Sequence, residues 1–235
     1  MKVALLALIS ILSCFRLMAQ DGRQLVVHLS ESGKPFTLNV NISRAAIKVT
    51  GYEGKDVVVN VGKDESNGKE SLDVTTHEKN NEVTVEGPNR KAIKLDIKVP
   101  KTAGIFKLSS VNGGTIIVDD VTGNLELQNK SGGISALNIS GSIIAGTLSG
   151  RITVSFNKID PGVPMAFSTI SGAIDITFPA NLKANLKIKS DHGKVYSAFP
   201  VTGDPADWLY GKAGGGGPEM LIKITTGNVH IYKRE

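Results

Sequence analysis

A glycine recurs every nine residues through the middle of this chain. Each glycine opens a short unit of the form Gly-x-apolar-x-apolar, in which the apolar residues are aliphatic or small. Five units follow one another without a gap, at Gly114, Gly123, Gly132, Gly141 and Gly150. The motif returns after insertions at Gly172, Gly193 and Gly227. Consecutive units at one spacing are typical of repeat proteins, in which identical short elements stack on each other.

Each unit predicts a tight turn followed by a short strand. The residue before the glycine is short and polar in most copies, namely Thr122, Ser131, Ser140, Ser149, Ser171 and Thr226. Such side chains hydrogen-bond the local backbone, and glycine adopts positive φ without a Cβ clash. We therefore predict that the eight repeat glycines are structural turn residues.

Side chains alternate along each predicted strand, so the two apolar positions share one face. The predicted interior is Ile116/Val118, Leu125/Leu127, Ile134/Ala136, Ile143/Ala145, Ile152/Val154 and Ile174/Ile176. The predicted outward set is Ile117, Glu126, Ser135, Ile144, Thr153, Asp175, Tyr196 and His230. Strands this short bury their apolar face only by stacking, at about 4.8 Å per strand. The prediction is an all-β protein, a β-solenoid or β-roll with two units per coil of about eighteen residues.

The N-terminal region, 20–100, also alternates between strand-like and turn-like segments. Residues 93–99 are apolar at every second position, and Pro100 ends the run. Because no linker separates this region from the solenoid of 101–235, we predict irregular first coils within one continuous domain, 20–235. A small separate sheet is the alternative. The last strands, Met220–Ile224 and Val229–Tyr232, are predicted to close the stack, with the polar tail 233–235 as a C-terminal cap.

Residues 1–19 have the pattern of a signal peptide. Lys2 precedes an apolar run too short to span a membrane, and Ala19 supplies the small residue for cleavage. A lipoprotein signal is the alternative, because Ile11-Leu12-Ser13-Cys14 resembles a lipobox and would place a lipid on Cys14. Either reading predicts export to the periplasm, the outer-membrane surface or the medium. Cys14 is the only cysteine, so the mature domain has no disulfide.

The charge pattern argues against a nucleic-acid partner. The formal net charge is +5, and Lys2 and Arg16 of the predicted signal peptide contribute two of those charges. Lysines and acidic residues are interspersed in the remainder, as on an ordinary solvated surface. Aromatic residues make up only 5% of the chain, too few for base-stacking platforms.

The repeats resemble a known family. The segment from LDIKVP (95–100) through the serial Ser-Gly-x-Ile units to the Gly-rich run 214–217 and LIKITTGNVHIYK is similar to the bacterial putative-adhesin domain. The resemblance covers about residues 92–232. It implies an exported β-solenoid or β-roll, and it brings no catalytic residues with it.

No recognisable catalytic, metal or cofactor motif accompanies the repeats. The four histidines, His28, His77, His192 and His230, lack metal-ligand spacing, and we read His192 and His230 as turn and surface residues. The positions after the glycines lack the carboxylates of calcium-binding nonapeptides. The outward positions of the repeats offer Glu126 and Asp175 as a glycosidase pair, but these acids stand several strands apart. We therefore predict no enzyme, no metal and no cofactor.

Trp208 and Tyr210, on the insertion 201–218, are the candidate contact residues for a partner. Anchoring of that insertion over the last coils is the alternative role. The favoured function is a non-catalytic adhesive or structural module of the cell envelope that binds a protein or glycan. A carbohydrate-active β-helix enzyme and an envelope-stress or signalling accessory that binds a membrane component are the alternatives.

Overall fold

A computed structural model describes residues 22–62, 73–88, 92–112, 114–160 and 162–234. Within these ranges the chain forms β-strands and no helix, which confirms the all-β prediction. The predictions for Ala19 and Cys14 lie outside the described residues. Nothing in the described ranges has the length and hydropathy of a membrane-spanning helix.

The strands are short, as the alternating pattern predicts, except for the 16-residue strand Ile134–Ser149, which passes from one sheet to the other. They are β1 (Gly22–Val27), β2 (Phe36–Asn41), β3 (Ala45–Tyr52), β4 (Val57–Gly62), β5 (Thr75–Lys79), β6 (Glu82–Glu86), β7 (Ile93–Pro100), β8 (Gly104–Ser110), β9 (Ile116–Asp119), β10 (Thr122–Ser131), β11 (Ile134–Ser149), β12 (Ile152–Ile159), β13 (Met165–Ser171), β14 (Ile174–Phe178), β15 (Ala184–His192), β16 (Val195–Ser197), β17 (Thr202–Gly203), β18 (Leu209–Ala213), β19 (Glu219–Thr226) and β20 (Val229–Lys233).

These strands form two sheets that are joined where β11 passes from one to the other. The front sheet has the order β1-β4-β7-β3-β9-β11-β12-β14-β20-β16. The back sheet has the order β5-β6-β2-β8-β10-β11-β13-β19-β15-β18-β17. A coil consists of one back strand followed by one front strand, and neighbouring coils pair in parallel. The fold is therefore solenoid-like, with the apolar core between the two sheets.

The order of coils in space differs from the order in the sequence at both ends. The coil β2–β3 lies between β6–β7 and β8–β9. At the other end, β19–β20 lies between β13–β14 and β15–β16. The prediction that Met220–Ile224 and Val229–Tyr232 close the stack is therefore wrong. The outermost C-terminal coil is β15–β16, and Lys233 pairs with Phe178 inside the sheet.

Antiparallel strands cover both sheets at the N-terminal end of the stack and the back sheet at the C-terminal end. At the N-terminal end, β4 and β1 extend the front sheet and β5 extends the back sheet. At the C-terminal end, β18 and β17 of the insertion 201–218 add to β15. The C-terminal cap is thus made by the insertion and not by the tail 233–234. The N-terminal strands share both sheets with the repeats, so they do not form a separate small sheet.

Residues that face each other across neighbouring coils are eighteen positions apart in the central region. Leu125 pairs with Ile143, and Ile134 pairs with Ile116 on one side and Ile152 on the other. All the aliphatic and alanine residues predicted to point inward are buried. Larger rings fill the C-terminal half of the core, where Phe156 stacks on Phe178 with centroids 5.6 Å apart.

The turn glycines lie where successive coils approach most closely. Seven of the eight have positive φ, from +119° at Gly114 to +154° at Gly150, and Gly193 is not among them. A Cβ atom on Gly141 would lie 1.9 Å from the carbonyl oxygen of Gly123, which is far inside van der Waals contact. Glycine is therefore required at Gly141 both by its backbone conformation and by the spacing of the coils.

A row of buried polar side chains follows the same corner. Thr147 Oγ1 donates to the Gly132 carbonyl oxygen at 3.0 Å, from a position three residues before Gly150. Asn129, Thr169 and Ser190 make the equivalent bond to the turn glycine of the preceding coil in the stack. These corner hydrogen bonds come from the third residue before the glycine. The sequence pattern predicts such bonds from the residue directly before the glycine. The corner hydrogen bonds tie each corner to the turn glycine of the neighbouring coil through buried donors.

Candidate functional site

The outer surface of the front sheet brings together side chains that are far apart in the sequence. Thr153, Asp175, His230 and Tyr196 are consecutive neighbours across β12, β14, β20 and β16. Asp175 and Tyr196 become neighbours of His230 only because β20 is inserted between β14 and β16. The surface lies at the C-terminal end of the stack.

Asp175 is held from two sides. Its Oδ1 atom lies 3.0 Å from Nδ1 of His230, and its Oδ2 atom accepts a hydrogen bond from Nη1 of Arg151. The Asp175 side chain is only 15% exposed, although it points outward, whereas the Arg151 side chain is 64% exposed. The carboxylate is therefore fixed in one orientation beside the histidine ring.

The ring of His230 is one member of a parallel aromatic row. Tyr196 stacks on His230 with centroids 5.0 Å apart and an interplanar angle of 3°. Tyr232, two residues further along β20, has its ring centroid 6.1 Å from that of His230, at an interplanar angle of 12°. Both tyrosines are about half exposed. Because β16 is the outermost front strand, the second face of the Tyr196 ring is directed past the end of the sheet. We call Tyr196, His230 and Tyr232 the aromatic row.

The residues predicted to contact a partner, Trp208 and Tyr210, lie elsewhere. Tyr210 is on β18 of the back sheet, opposite Lys187, and is exposed. Trp208 is partly buried under two lysines, with Nζ of Lys187 at 4.6 Å and Nζ of Lys189 at 5.7 Å from its ring. This packing favours the anchoring role for Trp208. Tyr210 stays a predicted contact residue, on the face opposite the aromatic row.

The two outward acids that would suit a glycosidase do not form a pair. Glu126 lies on β10 of the back sheet, and Asp175 lies on β14 of the front sheet. Because both side chains point away from the core, the two sheets separate them and they cannot act on one bond. His28, at the N-terminal end, contacts Asp56 and is highly exposed. Among the residues that the structure describes, no three His, Cys, Asp or Glu side chains form a metal-binding group.

Sequence reasoning placed Asp175, Tyr196 and His230 on the outer surface but did not bring them together. The outward positions of the repeat are visible in the sequence, and those positions hold all three residues. The interchange of the last coils is what makes them neighbours, and no spacing in the sequence reports it. Sequence reasoning missed Arg151 and Tyr232, because neither occupies the position between the two apolar residues of a repeat unit.

Comparison with known proteins matches most of the chain to one family model and to solved structures of low sequence identity. A family model described as Toastrack DUF4097 matches residues 14–232. A putative cell adhesion protein from Clostridium sporogenes has 15% sequence identity and a TM-score of 0.49, over 91% of this chain and 100% of its own. A putative adhesin from Bacteroides fragilis has 12% identity and a TM-score of 0.32, over 92% and 98%. No curated protein matches the chain.

Proposed function

The chain belongs to the Toastrack DUF4097 family, and on that premise we propose that it is a non-catalytic binding module of the cell envelope. Its ligand is a glycan, and its binding site is the aromatic row with Asp175 and Arg151. The parallel rings of Tyr196 and His230 are the observation that carries this proposal.

An aromatic ring with one exposed face can pack against the apolar face of a pyranose. The axial C–H groups of a sugar pack against an aromatic face, and rigid rings lose little conformational entropy when they do so. Tyr196 is clamped by His230 on one side and 49% exposed. It therefore offers a held, accessible surface at the end of the sheet.

The charged side chains beside the rings supply directional hydrogen bonds. Asp175 accepts hydrogen bonds from sugar hydroxyls, and Arg151 donates to them. Since Arg151 and His230 already hold the carboxylate, little additional ordering is needed on binding. This combination of aromatic surface and fixed polar groups is typical of selective ligand sites.

The position of the site fits an adhesive role. The chain enters the fold at β1, the outermost front strand at the N-terminal end. Ten front strands at about 4.8 Å spacing place β16 roughly 43 Å from β1. Residues 1–19 direct export. Whether the mature chain begins with a lipid on Cys14 or with a free Gln20, the aromatic row lies at the end of the stack that is distant from the N-terminus. The module then resides on the surface, in the periplasm or in the medium.

Glycan-array binding followed by calorimetry tests this function. Tyr196→Ala and Tyr232→Ala are each expected to weaken binding about tenfold, the loss of one stacked ring. Tyr210→Ala is the matched control, because this tyrosine is equally exposed on the opposite face. The bound glycan is expected to be recovered intact.

Two results would contradict the proposal. If Tyr210→Ala removes binding while the aromatic-row variants retain it, the contact lies on the back sheet. If the wild-type chain releases reducing sugar, the protein is an enzyme.

A further inference from the structure

A recess lies on the front sheet at the end opposite the aromatic row. It has a volume of about 590 Å³ and is formed on the outer surface of β1, β4, β7, β3 and β9. That volume is within the range of about 300–1,000 Å³ found for small-ligand sites. The central column of its lining is Gln24, Asn60, Asp96, Lys48 and Ile117, each opposite the next across neighbouring strands.

The floor of the recess is low because small residues lie beside that column. Gly62 on β4 and Ala46 on β3 occupy the adjacent column, on either side of Lys94. Even a single added Cβ at Gly62 would approach Cβ of Lys94 to 3.2 Å. Ile117 contributes a partly exposed aliphatic side chain at one end. The floor therefore offers apolar contact to a flat ring.

The amide groups at the other end are ordered before any ligand arrives. Gln24 Nε2 donates to Asn60 Oδ1 at 3.0 Å, and Asn60 Nδ2 donates to the Asp96 carbonyl oxygen at 3.3 Å. In these two hydrogen bonds the side-chain oxygen of Gln24 accepts no hydrogen bond. Ordered amides of this kind recognise hydroxyl groups.

Three lysines surround one carboxylate at the rim. Lys94 and Lys98 flank Asp96 on β7, and Lys48 lies directly opposite Asp96 on β3. These four side chains together carry a net charge of +2. In the described ranges, neither Lys48 nor Lys98 has a carboxylate within ion-pair distance, although Asp96 is close in register. The ammonium groups of Lys48 and Lys98 are thus available to an anionic ligand.

We propose that this recess is a second binding site, specific for a carboxylated saccharide. Lys48 and Lys98 bind the carboxylate, Gln24 and Asn60 bind ring hydroxyls, and Ala46 with Ile117 supports the apolar ring face. The site is separate from the aromatic row, because its central strand β7 is six front strands from β20, or about 29 Å at the usual spacing. It shares that row's outer surface, so a long acidic glycan could follow the sheet from one to the other.

Hexagalacturonate and its fully methyl-esterified form are the test ligands, measured by calorimetry at low and moderate salt. The wild-type chain is expected to bind the acid more tightly than the ester, with an affinity that falls as salt rises. The double variant Lys48→Gln/Lys98→Gln is expected to lose roughly tenfold in affinity for the acid. Lys107→Gln/Lys223→Gln makes the same change in charge on the back sheet and is expected to have no effect.

Three outcomes would overturn the proposal. Equal binding of acid and ester would show that the carboxylate is not recognised. An equal loss in the back-sheet control would show that net charge alone is responsible. Retention by vesicles of phosphatidylcholine and phosphatidylglycerol, without binding of hexagalacturonate, would identify a membrane-surface patch. None of these results bears on the aromatic row, because Tyr196 and Tyr232 are unchanged throughout.

Discussion

Oδ1 of Asp175 lies 3.0 Å from Nδ1 of His230 on the neighbouring strand, although fifty-five residues separate the two in the chain. The contact joins the charged and the aromatic parts of the candidate glycan site. It exists because β20 pairs with β14 on one side and with β16 on the other.

Replacing Asp175 with Asn should weaken glycan binding without unfolding the protein. The change removes the charge that orients His230 and Arg151, while the ion pair with Arg151, whose side chain is 64% exposed, contributes less than about 1 kcal/mol to stability. Calorimetric affinity and a thermal melt measure the two effects separately. Glu126→Gln, on the opposite face, is the control. An Asp175→Asn variant with full affinity would show that the carboxylate is not part of the site.

Ile134→Ala should cost about 2–5 kcal/mol of unfolding free energy, because a buried aliphatic side chain is lost and a cavity remains. Ile134 is 1% exposed, whereas Ile144 on the same strand is 49% exposed. Ile144→Ala should therefore change stability by less than about 0.5 kcal/mol. Urea unfolding followed by circular dichroism measures both. Equal effects of the two substitutions would contradict the assignment of the inner and outer faces of β11.

Gly141→Ala should lower the free energy of unfolding more than the same substitution at another glycine with positive φ. Gly141 has φ of +145° and its added Cβ would meet the Gly123 carbonyl, whereas Gly162 has φ of +96° and nothing within 4 Å. Gly162→Ala should cost about 1 kcal/mol from its backbone conformation alone. Gly141→Ala adds the steric clash between coils. Urea midpoints that are lowered equally by the two variants would argue against close contact of the coils at the turns.

Glu78→Gln should lower stability near neutral pH and have less effect in acid. The hydroxyl of Ser30 donates to the Glu78 carboxylate at 2.7 Å and, with backbone N–H groups of Ser30 and Asn81, holds the pKa of Glu78 below its ordinary value of 4.5. A lowered pKa contributes stability that is present above the ordinary value and is lost as pH falls through the folded-state value. Urea unfolding at pH 7 and pH 3 compares the variant with wild type. Glu219→Gln, which changes an exposed acid, is the control, and a difference that grows in acid would refute the mechanism.

Ending the chain after Pro218 should abolish cooperative folding. The deletion removes β19 and β20, which lie between β13–β14 and β15–β16, so two coils lose their parallel neighbours. A chain that ends after Lys233 keeps every strand and should melt like the full chain. Circular dichroism melts and size-exclusion chromatography provide the measurements. A truncated chain that keeps a cooperative melt would mean that β19–β20 is a dispensable outer coil.

The interior was readable from the sequence because side-chain alternation in a strand is local. Period-two spacing alone places Ile134, Leu125 and Ile152 on the inner face, and each is buried. The outward position of His230 followed from the same rule, but its partners did not. Its bond to Asp175 and its stacking on Tyr196 depend on strands that are brought together from three separate parts of the chain.

The recess near Lys48 also combines features that the sequence predicts with features that depend on strand pairing. Alternation predicts that Lys94, Asp96 and Lys98 point outward from β7. It does not predict that β3 pairs with β7 in parallel while β4 pairs with it antiparallel, which places Lys48 and Asn60 on either side of Asp96.

The sequence by itself determined that this protein is all-β and which faces of its strands are buried. These properties depend on the conformation of a few adjacent residues and on the alternation of side chains. Only the tertiary structure decided the order of the coils, the strands that cap each end and the identity of the outer neighbours. Parallel backbone hydrogen bonds are alike at every coil, so strand spacing along the chain does not specify which coil pairs with which. That choice is made by packing over the whole stack, and the aromatic row results from it.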